Sequence, residues 1–230
     1  MPFSNHLMPD MRSVSAWFVS RLDKMHPECA AILFRSDELC QSAMGLAESW
    51  GSKWSADPTR VVLYIQRDWN VTLDTYTRSN GMLELEDVIT MFGDLSLQVR
   101  LLRGMFVAPL VISPTNVQVV KLPSGNIRFW LSPDLRLEKI ENGEIELIRT
   151  FERTRFMAPE IVLIKRLPQS VYPACCYYSL AVLTYFCLAG TIISPDNMKE
   201  ALGPIAGTPL CSAIQRALTR EPEHRRLYYL

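Results

Sequence analysis

The sequence predicts an α+β fold in which a small, strand-bearing lobe precedes a larger, mainly helical one. Three observations predict it. Short β-branched or apolar runs at Ala30–Phe34 and Val61–Ile65 flank a helical pattern in the first third of the chain. Beyond that, apolar residues recur at helical spacing, most clearly over Leu85–Arg103. A single β-hairpin interrupts the helical part, with Pro123-Ser124-Gly125 as its turn between Val117–Val120 and Asn126–Trp130. Strands and helices that segregate along the chain, rather than alternate, point to this class.

Each element has its own signal. Val14, Trp17, Phe18, Leu22 and Met25 lie on one face of a helix over Ser13–Met25, a face suited to core or partner packing. Ser36-Asp37 reads as a helix start, with Leu39, Met44, Leu46, Ala47 and Trp50 following. Asp57-Pro58 breaks the chain before the strand Val61–Ile65, and Gln66–Asn70 reads as polar and irregular. Leu73–Arg78 forms a short helix ending near Asn80-Gly81. The next helix carries an apolar stripe of Leu85, Val88, Ile89, Phe92, Leu95, Val99 and Leu102. The charged stretch Glu138–Arg155 reads as a long surface loop. The most apolar helix is anchored by Val182–Leu188, and Leu210, Ile214 and Leu218 mark a helix in the tail. No internal repeat or low-complexity segment is present.

Composition narrows the function. The 230 residues suit one domain, or one domain in two lobes, at roughly 100–200 residues per domain. The 24 basic and 24 acidic side chains balance, which removes the basic excess that phosphate neutralisation needs and argues against nucleic acid as a partner. The longest apolar stretch, Tyr177–Ala189, is broken by Ser179 and Thr184 and falls short of the roughly 18 apolar residues of a membrane span. Met1–Arg12 shows no basic segment followed by an apolar one, so the expectation is a cytoplasmic chain, in which the Asn70-Val71-Thr72 sequon carries little weight. The cysteines at 29, 40, 175, 176, 187 and 211 form no C-x-x-C pair and read as reduced, buried thiols. His6, His26 and His224 are far apart, and neither a metal site nor a hydrolytic triad is indicated.

A set of short motifs, in order, adds a resemblance. Phe156-Met157-Ala158-Pro159-Glu160 is similar to the A-P-E segment of protein kinases. Tyr178-Ser179-Leu180-Ala181-Val182-Leu183 resembles the helix that follows it in that family. Thr219–Arg225 resembles the turn ending in arginine near the end of the large lobe. Ser113-Pro114-Thr115-Asn116-Val117 resembles the close of the catalytic loop. The resemblance covers about residues 30–230. It implies a kinase-like bilobal fold with a reduced small lobe and hinge over 30–70 and a C-lobe over 71–230, which leaves 1–29, with its amphipathic helix, as an N-terminal extension.

The departures from the family pattern decide what the resemblance implies about chemistry. With Asn116 as anchor, the H-R-D positions fall on Pro109, Leu110 and Val111, so the catalytic base is replaced by Val111. The D-F-G positions fall on Leu131, Ser132 and Pro133, and Leu131 has no oxygen for Mg²⁺. No glycine-rich loop precedes Gly81, where only Gly45 and Gly51 occur. Arg35 is the only cation where the phosphate-binding lysine belongs, with Glu38 and Glu48 as its two possible helix partners, and Cys176 stands for the aspartate of the helix after A-P-E. The expectation is a pseudokinase: no catalytic residue, no cofactor and no metal, acting as a scaffold or regulator of a protein partner, with an active kinase as one candidate. Glu160 and Arg225 are expected to form a structural ion pair, and Asn116 to remain as a relic that steadies the loop. Trp17, Trp50, Trp54 and Trp69 are candidate anchors for a partner where exposed. Arg149, Arg153, Arg155, Thr150 and Thr154 lie on a segment that reads as solvated, with docking or phosphorylation as its functional alternative. Two alternatives stand beside this reading. One is an unconventional nucleotide-binding kinase that recruits Lys53, Asp68 or Asp134. The other is a non-catalytic C-lobe, KIND-like peptide-binding module, suggested by Ile112-Ser113-Pro114 and Leu122–Gly125.

Overall fold

The computed structural model describes the backbone of residues 29–34, 53–57 and 60–66, and residues 70–227 apart from 105, 122–124 and 133–134. The helices expected over Ser13–Met25 and from Ser36 to Trp50 lie outside the described residues, as do Arg35, Glu38, Glu48, Asp68 and Asp134. The side chains of Lys53, Trp54 and the other three candidate tryptophans are likewise not described.

Three strands form an antiparallel sheet near the N-terminus: β1 (Cys29–Phe34), β2 (Lys53–Asp57) and β3 (Arg60–Gln66), with β3 in the middle. The sequence signals for β1 and β3 correspond to them closely. β2 was not anticipated, because Lys53-Trp54-Ser55-Ala56-Asp57 lacks the β-branched content that marks a strand.

The polar stretch before residue 71 ends in a strand, β4 (Asn70–Thr72), which runs directly into α1 (Leu73–Asn80). Thr72 caps that helix by accepting the Thr75 N–H at 3.2 Å. Gly81, at φ 88°, ends it, its N–H donating to Thr77 O at 2.9 Å. α2 (Leu85–Gly104) then runs beneath the hairpin of β6 (Val117–Lys121) and β7 (Ile127–Leu131), with β5 (Val107–Pro109) between helix and hairpin. β4, β6 and β7 make an antiparallel sheet with β6 central and β7 at its edge. The apolar stripe expected on α2 is buried at Val88, Phe92, Leu95 and Val99. Leu85 and Ile89 instead face outward, 41% and 40% exposed.

The stretch expected as a long surface loop is structured, which corrects that reading. β8 (Leu137–Lys139) pairs with β5, and β9 (Ile145–Leu147) pairs with β10 (Gln169–Val171), both antiparallel. Ile145 and Leu147 are buried while Glu146 between them is exposed, a period-two alternation that the surrounding charges conceal. The larger part of the chain is therefore not helix with one hairpin but helix interleaved with several short antiparallel pairings.

Pro159 opens the short helix α3 (Pro159–Val162), and α4 (Cys175–Ala189) occupies the middle of the core. Twelve of its 15 residues are buried, the pattern of a helix covered on all sides. It packs against α2 on one side and, beyond α5 (Met198–Ala201), against α6 (Pro209–Ala217) on the other. Thr208 caps α6 through the Cys211 N–H at 3.1 Å. Every pairing among the described strands is antiparallel, so the fold is α+β.

Candidate functional site

The loop between β5 and β6 brings Val111, Asn116 and the end of β7 together. Pro114 starts a single 3₁₀ turn over Pro114–Asn116. Asn116 Oδ1 accepts the Ser113 N–H at 2.7 Å, and its Nδ2 donates to Val111 O at 3.4 Å. The Asn116 carbonyl accepts the Ser132 N–H at 2.8 Å, and Val117 pairs in register with Leu131. Both ends of the Asn116 amide are thus engaged by the loop's own backbone. Leu131 is buried and Val111 half-buried. No aspartate or glutamate occurs anywhere between Gly104 and Lys121. The hydroxyls of Ser113 and Thr115 bond each other at 3.0 Å. A loop with this donor set offers neither a group that exchanges protons near neutral pH nor hard oxygen ligands at carboxylate strength.

Two interactions that the sequence did not announce hold this region. Ser179, fully buried on α4, accepts the Ile112 N–H at 2.6 Å and donates to Ile112 O at 2.9 Å. One hydroxyl thereby satisfies both polar groups of a buried loop residue, which would otherwise be costly. On α2, Asp94 and Gln98 stand one turn apart and line the outer edge of β7. Asp94 accepts the Phe129 N–H at 2.9 Å and forms an ion pair with Arg128, while Gln98 accepts the Leu131 N–H and donates to Phe129 O, each at 2.8 Å. A strand edge that would be open is closed by side chains in place of another strand. Burial pushes the Asp94 carboxyl upward, and Arg128 and the Phe129 N–H offset part of that. The available signal was the pair of polar residues at i and i+4 inside an otherwise buried helix face.

Glu160 and Arg225 meet across 65 residues of sequence. Arg225 Nη1 donates to Glu160 Oε1 at 2.5 Å and Nη2 to Oε2 at 2.9 Å, a bidentate fork. Its remaining bonds go to Thr219 O at 2.8 Å and Arg220 O at 3.2 Å, and its guanidinium lies 5.0 Å from the Tyr178 ring centroid. The arginine side chain is fully buried and the glutamate 21% exposed. Pro159 at the start of α3 sets the direction of Glu160, and the 3₁₀ turn Pro222–His224 delivers Arg225.

The segment 149–155 is irregular and mostly exposed, as expected of a solvated loop, with a few anchoring contacts. Arg155 lies over Phe156 and Phe186, 5.3 and 4.7 Å from their centroids, and Arg153 donates to Ile164 O at 3.1 Å. Thr154 Oγ1 accepts the Phe156 N–H at 3.3 Å. Tyr177, Tyr178 and Tyr185 are buried core residues.

Four described cysteines are free and buried. Burial pushes the Cys176 and Cys187 thiols up to about 12 and that of Cys175 upward as well, so these sulfurs stay protonated and unreactive at neutral pH. Among the described residues no group of three or more His, Cys, Asp or Glu could hold a metal ion, and no helix is long and apolar enough to cross a membrane.

No protein-family model matches the chain, and no curated protein matches it.

Proposed function

We propose that the chain is a kinase-like domain that has lost phosphotransfer and serves as a protein-binding scaffold or regulator. The observation that carries this reading is the cluster of Val111, Asn116 and Leu131. The motif resemblance assigns these positions to the base and to the two metal ligands of a kinase, and here two of them are aliphatic while the third spends its amide on its own loop. Phosphoryl transfer rests on metal and on charge placed around the transferred group, so a cluster of this composition supplies neither. The bidentate Glu160–Arg225 pair supports the same reading. It preserves the role that the resemblance gives to those two residues, architecture without chemistry. A chain of this kind works through its surfaces.

The test is transfer of label from γ-labelled ATP to the chain itself and to a generic acceptor such as casein, with Mg²⁺ and with Mn²⁺. The expected result is no incorporation above that of a blank lacking the protein. Incorporation proportional to the amount of chain, and removed by chelation, would overturn the proposal.

A further inference from the structure

An open groove of about 690 Å³ runs beside β10, between the end of α3 and the turn that carries Pro222. That volume has room for several side chains of a ligand. Its walls combine two properties. Leu163 and Tyr172, both lining the groove, are 70% and 42% exposed and offer it apolar surface. Lys165 and Arg166 are also exposed, and neither has an ion-pair partner among the described residues. The one acidic residue of the wall, Glu160, is neutralised by Arg225. Arg153, outside the lining, bonds the carbonyl of the lining residue Ile164.

The neighbouring hollow, which shares Ser170 with the groove, is lined by Glu138, Glu141, Glu144 and Glu146 together with Lys139 and Arg149, and Glu138 and Glu141 are paired with Arg136 and Lys139. β10 is the outer strand of its two-stranded sheet, so among the described strands its far edge is open. One edge carbonyl, Ser170 O, is taken by the side-chain amide of its neighbour Gln169.

We infer that this groove binds an acidic, extended peptide of a protein partner, with one large apolar residue between Leu163 and Tyr172 and carboxylates on Lys165 and Arg166. Charge complementarity selects the occupant: the exposed Lys165 and Arg166, with Glu160 already held by Arg225, attract acidic chain. The concave wall favours a peptide over a lipid surface, which needs a protruding apolar face. The inference deepens the scaffold reading and rests on it.

The test is fluorescence polarisation of a labelled, glutamate-rich short peptide with one central leucine, titrated with the full chain. Saturable binding with a Kd of about 10–100 µM is expected. It should weaken about tenfold on Lys165→Glu combined with Arg166→Glu, and comparably in about 0.5 M salt. Leu163→Ser should weaken it about fivefold. All three residues are exposed, so an unchanged melting temperature will show that the variants fold. No binding up to about 1 mM, binding untouched by the charge reversals, or equal binding of a lysine-for-glutamate peptide would overturn the inference. Tighter binding to phosphatidylserine-containing vesicles than to the peptide would overturn it in favour of a lipid. A chain that transfers phosphate yet binds the peptide removes the functional reading and leaves the groove. A chain that does neither removes only the groove.

Discussion

Alanine at Glu160 or at Arg225 is expected to destabilise the fold by about 3–5 kcal/mol. In a chain of this size that is a fall in melting temperature on the order of 10 °C. The two losses arise differently. Glu160→Ala leaves a guanidinium whose side chain is fully buried without its counter-charge. Arg225→Ala strands the carbonyls of Thr219 and Arg220, removes the cation from the Tyr178 ring and opens a hole in the core. Because each substitution already abolishes the shared interaction, the double variant should cost little more than the worse single one, so the coupling should approach the smaller single loss, about 3 kcal/mol or more. Arg225→Lys should rescue only part of the loss, since an ammonium cannot reproduce a two-pronged contact. Denaturant unfolding of the native protein and these four variants measures this directly. Additive losses would show that the two residues act independently.

The second large effect is expected at Asp94. Asp94→Ala should cost about 2–4 kcal/mol, because the fully buried Phe129 loses the acceptor of its N–H and Arg128 loses its ion-pair partner. Asp94→Asn should cost less at neutral pH, as an amide oxygen still accepts the Phe129 N–H. The two proteins should also differ in pH dependence. Burial raises the folded-state pKa of Asp94 above 3.8, so between that value and the raised one the folded protein holds more protons than the unfolded chain. The contribution of this group to stability is therefore full at the acid side of the window and is lost as pH rises through the folded pKa. From pH 3 upward the unfolding free energy of the native protein minus that of Asp94→Asn should fall as the pH rises through the folded pKa. Parallel curves would mean that the carboxyl titrates normally.

Much of this fold can be read from the sequence where one physical signal dominates. The helix Cys175–Ala189 is apolar all round, and the hairpin has a glycine where the turn needs positive φ, Gly125 at 90°. The signal fails where two requirements overlap. In Ile145-Glu146-Leu147 the alternation that makes a strand is three residues long and sits among charges. Leu85 and Ile89 fit the periodicity of α2 yet face outward, whereas Asp94 and Gln98 interrupt the pattern and point inward, because the helix meets a strand edge that needs hydrogen bonds. The site divides in the same way. Glu160 and Arg225 were visible through flanking motifs, and so were Val111, Asn116 and Leu131. Ser179 could not be assigned to Ile112, since a serine inside a helix carries no mark of which backbone it will serve. The groove beside β10 is built from residues that are individually ordinary, and only their exposure in the folded chain sets them apart.

Isothermal titration of ATP into the full chain, with Mg²⁺ and again with chelator, tests most directly the claim that a phosphotransfer framework survives here without its reactive groups. The expected result is no saturable heat up to about 1 mM nucleotide in either condition. Saturable binding that requires the metal would contradict it, because the cluster of Val111, Asn116 and Leu131 would then have to be completed by a carboxylate from elsewhere in the chain.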